Sequence, residues 1–357
     1  MNNIIYLFLT NLLFINAFNF NSKYNSWFSI SMPMKNLAKN WFISRAEKKG
    51  IDWNYYKNQY KNKESELQLI QDLISNKFLY YPMYYKKPFH GYNNGNLNWE
   101  AAFEGVGATL SMSSNYWFNV NPKDAHSWLR GNYTNNIKKN YNNYNKNFNS
   151  LQVLDLGCSV GIGTEFLNIN LPKPQLTGLD LSPFFIAIAR FRSLNQNLGI
   201  QYIHNNAEYL PFKKDKYDLV TAQFLFHEVP LEPSLRILKD SYRVMKNDSI
   251  IAIIDLDPDK LINNFVFKNF RKWLFEITEP YMKEYYNKNM TQMLSDSGFI
   301  DVVKYDNNDP FNSVWLGYKP GKDLKLKNYI KNKLLEQDNI IEKSNKDIEY
   351  DYIDGTI

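Results

Sequence analysis

The sequence predicts an α/β fold in which a doubly wound parallel sheet follows a helical extension. Two observations support this prediction. Short β-branched runs alternate with longer segments in which apolar residues recur at helical spacing, and the runs are apolar enough to be buried on both faces. The chain has 357 residues, of which 44% are hydrophobic and 16% aromatic, so it can bury a full core.

Five runs are predicted as strands and two segments between them as helices. The first helix has a clear start, because Ser182 is a capping residue and Pro183 suits the first helical turn. Strands and helices in this order predict a parallel sheet, in which ligands bind at the carboxyl ends of the strands near the point where the strand order reverses. The predicted strands are residues 151–156, 175–180, 200–205, 217–224 and 249–257, and the helices are residues 183–195 and 233–245.

A glycine-rich turn follows the first predicted strand in the stretch VLDLGCSVGIG, residues 153–163. Gly157 allows the chain to turn sharply, and Gly161 and Gly163 leave no side chain between the backbone and a ligand. A dinucleotide turn has the order G-x-G-x-x-G, which brings a helix N-terminus to a pyrophosphate. Here the order is G-x-x-x-G-x-G, with Asp155 two residues before the first glycine. The turn therefore predicts a nucleotide-like cofactor that carries no pyrophosphate.

Three further features follow the next predicted strands. Asp180 ends the second strand, 23 residues after Gly157, where a carboxylate can accept both hydroxyls of a ribose. Asp180 alone does not separate a nicotinamide cofactor from a methyl donor, because both carry a ribose. The stretch NNAEYLPF (205–212) follows the third strand and AQFLFHEV (222–229) follows the fourth.

Together these features resemble the class I S-adenosylmethionine-dependent methyltransferases, in the methyltransferase type 11 or ubiquinone and menaquinone methyltransferase-like group. The turn resembles motif I of that family, D-x-G-x-x-x-G-x-G, and NNAEYLPF resembles its D-A-E-x-L-P-F element. Asn206 replaces the acid that bonds the adenine amino group, and its amide oxygen can still accept that bond. The resemblance implies a Rossmann-like, mostly parallel seven-stranded sheet with S-adenosyl-L-methionine as cofactor and no metal. The chain departs from the family at VMKNDSI (244–250), where L-K-P-G-G is usual.

The resemblance also implies a set of site residues. His227, beside Glu228, is the candidate catalytic residue, since a neutral imidazole can accept a proton from a phenol or an amine near pH 7. The alternative is that His227 only shapes the pocket. The candidate cofactor-binding residues are Asp155, Gly157, Cys158, Ser159, Gly161, Asp180, Leu181, Asn206, Ala207, Glu208, Gln223 and Phe224.

The first residues of the chain predict targeting. The apolar run at residues 4–18 is interrupted by Asn11 and Asn16 and has the features of a signal sequence rather than a membrane span. No acidic residue occurs before Glu47, and this acid-poor segment with its serines and lysines is typical of a transit peptide. Signal followed by transit predicts an apicoplast-like plastid, with contacts to membranes or import machinery on the way. The alternative is the secretory pathway.

The segment before the predicted domain supports the same location. Residues 80–112 and the stretch WLRGNY (128–133) resemble the corresponding segment of a group of plant chloroplast methyltransferases. Asn and Lys crowd the residues after it, and such a composition predicts a loop or disorder. The predicted organisation is a signal sequence (1–20), a transit-like segment (21–46), a helical, aromatic-rich extension (47–131), an Asn-rich linker (132–149), the methyltransferase domain (150–320) and a solvated charged tail (321–357).

Composition limits the classes of function. The only cysteine, Cys158, excludes an internal disulfide and a cysteine-based zinc site, and its place in the turn argues against a covalent nucleophile. Residues 1–149 carry 17 basic and 8 acidic side chains (+9), residues 150–320 carry 18 and 20 (−2), and residues 321–357 carry 7 and 8 (−1). The predicted catalytic part is therefore not basic, and no nucleic-acid partner is expected.

We expect methyl transfer to a small, apolar or aromatic organic acceptor in a plastid-type organelle. The methyl group of a sulfonium is already activated, so the protein has to align an electron-rich acceptor with it. Two alternatives stay open at this point: an NAD(P)-dependent oxidoreductase, and a methyltransferase fold that binds the cofactor without turnover. Neither the acceptor atom nor the oligomeric state follows from the sequence.

Overall fold

The structure, a computed structural model, describes residues 27–117, 119–143, 150–263, 272 and 276–321. These residues contain a seven-stranded sheet with the strand order β3-β2-β1-β4-β5-β7-β6. Strands β1 to β5 pair in parallel, whereas β7 runs antiparallel to both β5 and β6. The mostly parallel, doubly wound sheet is thus confirmed. The strands are β1 Gln152–Leu156, β2 Gln175–Asp180, β3 Gln201–His204, β4 Tyr217–Gln223, β5 Met245–Leu256, β6 Ile300–Asp306 and β7 Asn312–Lys319.

Helices α6, α7 and α8 connect the parallel strands, and five longer helices precede the sheet. The pattern of apolar residues located β1 to β5 to within a few residues, while β6 and β7 were implied only by the family resemblance. The helices are α1 Trp27–Lys48, α2 Trp53–Lys61, α3 Glu64–Ile74, α4 Trp99–Ser114, α5 Pro122–Asn143, α6 Ile162–Asn170, α7 Pro183–Asn195, α8 Leu231–Val244, α9 Pro258–Asn263, α10 Met282–Tyr285 and α11 Met290–Asp296.

Both faces of the sheet are buried. Leu154 and its neighbour Val153 point to opposite faces, as alternate residues of a strand must, and they belong to two separate hydrophobic clusters. Since β1 lies between β2 and β4, the chain winds one way from β1 and then returns to wind the other way. This reversal creates a crevice at the carboxyl ends of β1 and β4, which is where such sheets bind ligands.

Helix α5 corrects the prediction of a linker at residues 132–149. Its second half includes residues 132–143, and Tyr133, Ile137 and Tyr141 are fully buried against the sheet. The hydroxyl of Tyr133 donates to the carbonyl of Ala252 in β5 at 2.8 Å. The prediction was wrong because the many Asn and Lys residues concealed an apolar stripe at the i, i+4, i+8 spacing of a helix. Residues 144–149 lie outside the described residues.

Helix α1 changes the boundary expected for the targeting segment. Ala38 and Ala46 are buried, and the ammonium of Lys39 lies 2.9 Å from the carboxylate of Glu104 in α4. Residues 38–46 therefore pack with the folded part, although the sequence assigned them to the transit-like segment. The predicted signal sequence (1–20) and residues 322–357 of the tail lie outside the described residues. Within the described part, no helix is long and apolar enough to cross a membrane.

The departure from the family before the fifth strand is accommodated by Asp248. This residue adopts a left-handed φ of 57°, a conformation in which glycine is more usual. Its carboxylate accepts from the hydroxyl of Tyr318 at 2.6 Å and from the amide of Gly321 at 2.9 Å. The changed turn thus contacts the end of β7, far from the cofactor-binding loops.

We expect Ile137→Ala to lower the free energy of unfolding by about 2–4 kcal/mol, because the substitution leaves a cavity between α5 and the sheet. Urea denaturation followed by circular dichroism measures the change. Asn135→Ala, at an exposed position of the same helix, is the control and should stay within about 0.5 kcal/mol. Equal, small effects of both substitutions would support the linker instead.

Candidate active site

A cavity of about 440 Å³ lies at the carboxyl ends of β1, β2 and β4. The loops that follow these strands form one wall, and residues of α1, α2, α4 and α5 form much of the other. Pockets of this size accommodate small organic ligands. Eleven of the thirteen candidate residues line it: Asp155, Gly157, Cys158, Ser159, Asp180, Leu181, Asn206, Ala207, Gln223, Phe224 and His227.

The glycine turn forms a tight cradle beside this cavity. Gly161 has a φ of 87°, and a Cβ atom there would lie 2.6 Å from the hydroxyl oxygen of Tyr202. Gly161 itself does not line the cavity, so it is required by the turn rather than by contact with a ligand. A Cβ atom on Gly163 would lie 2.7 Å from the amide nitrogen of Gln223. The turn can therefore pack against Tyr202 and Gln223 only because these positions lack side chains.

Asp180 is fixed in place at the end of β2. Its two carboxylate oxygens accept from the amides of Ser159 at 2.9 Å and Ser182 at 2.8 Å. Burial raises the pKa of Asp180 to about 6, although these amides act in the opposite direction. A carboxylate has about four acceptor positions, so two remain for a pair of hydroxyls. This geometry suits the ribose of a nucleoside cofactor.

Asp155 is a structural anchor as well as a cavity residue. Its carboxylate accepts from the hydroxyls of Thr164 in α6 at 2.6 Å and Thr221 in β4 at 2.7 Å. The amide nitrogen of Gln223 lies 3.4 Å away. Burial raises the pKa of Asp155, and its hydrogen-bond donors act against that shift. Asp155 thus joins β1, β4 and the helix that follows the glycine turn.

Glu208 differs from the expectation that it contacts the cofactor. It does not line the cavity but accepts from the hydroxyl of Tyr84 at 2.7 Å and from Arg236 at 2.8 Å. The amide of Glu208 donates to the side-chain oxygen of Asn206 at 2.8 Å. Glu208 therefore positions its neighbours, among them Asn206, which lines the cavity.

Arg130, in helix α5, is a cavity residue that the sequence analysis did not select. Its guanidinium donates to the side-chain oxygen of Gln223, and burial lowers its pKa to about 10, so it is cationic at neutral pH. Within the described part of the chain, its Nε has no hydrogen-bond partner. A buried cation with a free donor fits a carboxylate of a ligand. Arg130 lies in the WLRGNY stretch, which was used only for its resemblance.

A second group of residues surrounds His227. Its Nδ1 is 2.7 Å from the carboxylate of Asp255 at the end of β5, and its Nε2 is 3.9 Å from Glu228. His90, which precedes α4, has its Nε2 3.4 Å from Glu228 and 3.0 Å from Glu279. His90, His227, Glu228 and Glu279 all line the cavity. Two imidazoles and three carboxylates are thus brought together from distant parts of the chain.

The charge of His227 differs from the neutral imidazole that the sequence analysis expected. Burial opposes protonation, but Asp255 and Glu228 outweigh it and raise the pKa of His227 to about 9. Glu279 and Glu228 likewise raise the pKa of His90 to about 9 against the effect of burial. Burial raises the pKa of Glu228 to about 7, although the two imidazolium groups oppose this. Burial thus moves the pKa of Glu228 up toward neutrality, while the surrounding carboxylates move the pKa values of both imidazoles above it.

Other chemistry finds little support in the described residues. Cys158 is buried, and its burial raises the pKa of the thiol well above its usual value, which makes it a poor nucleophile. In the described ranges, no group of three or more His, Cys, Asp or Glu side chains could hold a metal ion.

We expect Asp255→Asn to lower the pKa of His227 from about 9, because only the weaker effects of Glu228 and Glu279 then oppose the burial penalty. NMR titration of the imidazole nitrogens measures this. His204 is the internal control, since burial lowers its pKa to about 4 and its ring contacts Tyr81 rather than Asp255. An unchanged pKa of His227 would show that Asp255 does not hold its charge.

Comparisons with known proteins agree with this arrangement. A family described as "Methyltransferase domain" matches residues 153–248. The chain is 27% identical over 170 residues to demethylmenaquinone methyltransferase from Lactococcus lactis subsp. lactis, covering 43% of this chain and 67% of that protein. It is 29% identical over 119 residues to phthiotriol/phenolphthiotriol dimycocerosates methyltransferase from Mycobacterium leprae, covering 33% of this chain and 43% of that one.

The chain is also similar to a solved structure, phosphoethanolamine N-methyltransferase 2 from Haemonchus contortus in complex with S-adenosyl-L-methionine. The two chains superpose with a TM-score of 0.41 at 15% sequence identity. The superposition covers 55% of this chain and 56% of that chain. The chain therefore spans only about half the length of this structure and less than half of the mycobacterial relative.

The matched domain begins at the second residue of β1 and ends within β5. It contains the glycine turn, Asp180 and the loops that follow β3 and β4, so it includes most of the cavity wall that the strand ends form, without Leu256 at the end of β5. S-adenosylmethionine, the cofactor that the family resemblance implies, is confirmed, and residues 153–248 of this chain are a class I S-adenosylmethionine-dependent methyltransferase domain.

Proposed function

We propose that this protein methylates a small, apolar or aromatic acceptor that carries an ionisable hydroxyl group. The observation that carries the proposal is the position of Glu228 between two imidazolium groups at the wall of a largely apolar cavity that several aromatic residues line. The names of the two relatives support it, since one is a demethylmenaquinone and the other a phthiotriol/phenolphthiotriol dimycocerosates methyltransferase. Location in a plastid and the plant-like resemblance stay predictions.

The residues present fit the cofactor. Asp180 would accept from the ribose hydroxyls, the loop of Asn206 and Ala207 would contact the adenine, and the glycine turn would lie along the nucleoside. Arg130 would bind the methionine carboxylate, because its Nε is a donor without a partner on a cationic group that lines the cavity. When bound, S-adenosylmethionine supplies a methyl group activated by a positively charged sulfur.

The acceptor side is formed by residues of the extension together with the loop after β4. Trp41, Phe42, Trp53, Tyr84 and Tyr85 line the cavity and present flat apolar surfaces. Such surfaces pack against rings and exclude water, which would otherwise compete for the proton and weaken the charge interactions. A hydrophobic, ring-containing molecule is therefore the acceptor class that these residues bind best.

Glu228 accepts the proton of the acceptor hydroxyl in this proposal. Its pKa of about 7 suits a base that works near neutral pH. His227 and His90 lie on either side of Glu228. Asp255 holds His227 in its charged form, and both imidazolium groups stabilise the carboxylate of Glu228 until it accepts the proton. Loss of the proton makes the acceptor oxygen, or a ring carbon conjugated with it, electron-rich. His227 thus acts on the reaction through Glu228 rather than as the base itself.

Transfer is tested with tritiated-methyl S-adenosylmethionine and a panel of phenols and hydroquinones that includes 1,4-naphthohydroquinone. Mass spectrometry then locates the added methyl group. We expect methylation of at least one panel member. Transfer only to amines, protein or RNA would contradict the acceptor class, and cofactor binding without any transfer would favour a non-catalytic binding module.

We expect Arg130→Gln to weaken the binding of S-adenosylmethionine at least tenfold, while the binding of methylthioadenosine, which lacks the carboxylate, changes less than twofold. Isothermal titration calorimetry gives both constants. Arg243→Gln is the control, since Arg243 lies outside the cavity and pairs with Asp240. An equal loss for both ligands would show that Arg130 supports the fold and does not bind the carboxylate.

We expect Glu228→Gln to lower kcat by about 10²- to 10⁴-fold, the usual contribution of a general base, with little change in cofactor affinity. In the wild type, kcat/KM should fall tenfold for each pH unit below about 7, because the protonated carboxyl cannot accept a proton. The variant should lack this acid limb. The same acid limb in Glu228→Gln would assign the base to another group.

A further inference from the structure

Five large apolar side chains are exposed together on α3 and the segment after it. Leu69 is 66% exposed, Leu73 86%, Phe78 99%, Tyr80 71% and Met83 71%. Leu69 and Leu73 are four residues apart and share one face of α3. We call these five residues the apolar edge. Monomeric proteins seldom leave such groups in water, because burial of each large apolar side chain is stabilising.

The backbone beneath the apolar edge is held firmly by the catalytic domain. The hydroxyl of Tyr81 and the amide of Asn76 both bond the ring of His204, each at 3.0 Å. Tyr84 donates to Glu208 at 2.7 Å and accepts, through its carbonyl, from the hydroxyl of Tyr281 at 3.0 Å. The edge residues therefore project from an anchored segment and are not exposed by a loose loop.

Charge around the apolar edge favours an anionic partner. Lys77, Lys86 and Lys87 are exposed among its residues, and the ammonium of Lys86 lies 5.8 Å from the ring centre of Tyr80. Residues 73–99 contain no acidic residue, whereas α3 itself carries Glu64, Glu66 and Asp72, so the positive charge belongs to the segment after α3. Apolar and aromatic side chains mixed with lysines are the composition that binds the interface of an anionic bilayer.

The apolar edge is continuous with the proposed acceptor side of the cavity. Tyr84 and Tyr85 come directly after Met83, and both line the cavity. A surface that binds lipid would therefore lie beside the aromatic residues that receive an apolar molecule.

We propose that the apolar edge docks on the surface of an anionic lipid bilayer and that the acceptor enters the cavity from that bilayer. The second part rests on the proposed function, whereas the first does not. The acceptor would then be a membrane-dissolved molecule with an apolar tail, and its ionisable ring would reach Glu228 while the tail stays near the lipid.

Docking is tested on the full chain with a fluorophore attached to a cysteine at position 78. Cys158 is buried, so Phe78→Cys is labelled selectively with an environment-sensitive nitrobenzoxadiazole dye. Vesicles contain phosphatidylcholine with or without phosphatidylglycerol, and some carry doxyl-labelled lipids that quench the dye inside the bilayer. Ile169→Cys, at an apolar position that is 73% exposed outside the edge, is the matched control.

We expect the dye at position 78 to shift to shorter wavelength and to be quenched at least twofold with phosphatidylglycerol vesicles, and much less without that lipid or in 0.5 M salt. The dye at position 169 should not respond. If the protein sediments with vesicles but neither dye responds, another segment binds the lipid and the proposal is wrong. A dye response that follows protein concentration without vesicles would assign the edge to a second copy of the chain and would also overturn it.

Entry from the bilayer is tested separately with the double variant Leu73→Ser and Phe78→Ser. We expect at least a fivefold lower rate on a long-tailed hydroquinone in vesicles and an unchanged rate on water-soluble 1,4-naphthohydroquinone. Equal rates on the vesicle-borne acceptor would contradict entry from the membrane. If neither acceptor is methylated by the wild type, the proposed function fails, while the dye measurement still decides docking.

Discussion

The carboxylate of Asp155 is the contact on which the rest of the site depends. It lies at the end of the central strand β1, and its donors come from α6, from β4 and from the side chain of Gln223. Gln223 in turn accepts from Arg130 of the extension. A buried charge is tolerated only when it is paired or hydrogen-bonded. The carboxylate of Asp155 therefore holds together the glycine turn, the strands where the sheet order reverses and helix α5.

The extension is therefore part of the catalytic unit rather than a separate attachment. Helix α5 shares its core with the sheet, and Phe103 and Val106 of α4 pack with Phe185 of α7. Ser182 at the start of α7 also donates to the carbonyl of Asn96, just before α4, at 2.7 Å. The cavity has two walls because these contacts hold the extension over the strand ends at a fixed distance.

The features that could be predicted from the sequence are those that depend on neighbouring residues. The strands β1 to β5, the glycine turn and Asp180 at the end of β2 follow from periodicity and from short motifs. His90, Arg130 and Glu279 were missed because their roles arise only from tertiary contacts. The charge of His227 depends on Asp255, which is 28 residues away and reaches it only because β4 and β5 are adjacent. Helix α5 was hidden by composition, since abundant Asn and Lys outweighed three aromatic and aliphatic residues at helical spacing.

Substitutions in the two walls of the cavity have different consequences for the evolution of this protein. In the proposed site, all the residues that bind the cofactor except Arg130 belong to the strand-end loops, so a substitution there would disturb methyl donation for every acceptor. Most aromatic residues of the opposite wall come from α1, α2 and the segment before α4, and Asp155 accepts no hydrogen bond from them. Selection can thus exchange one acceptor for another by altering these aromatic residues alone, while the groups that hold the methyl donor stay unchanged.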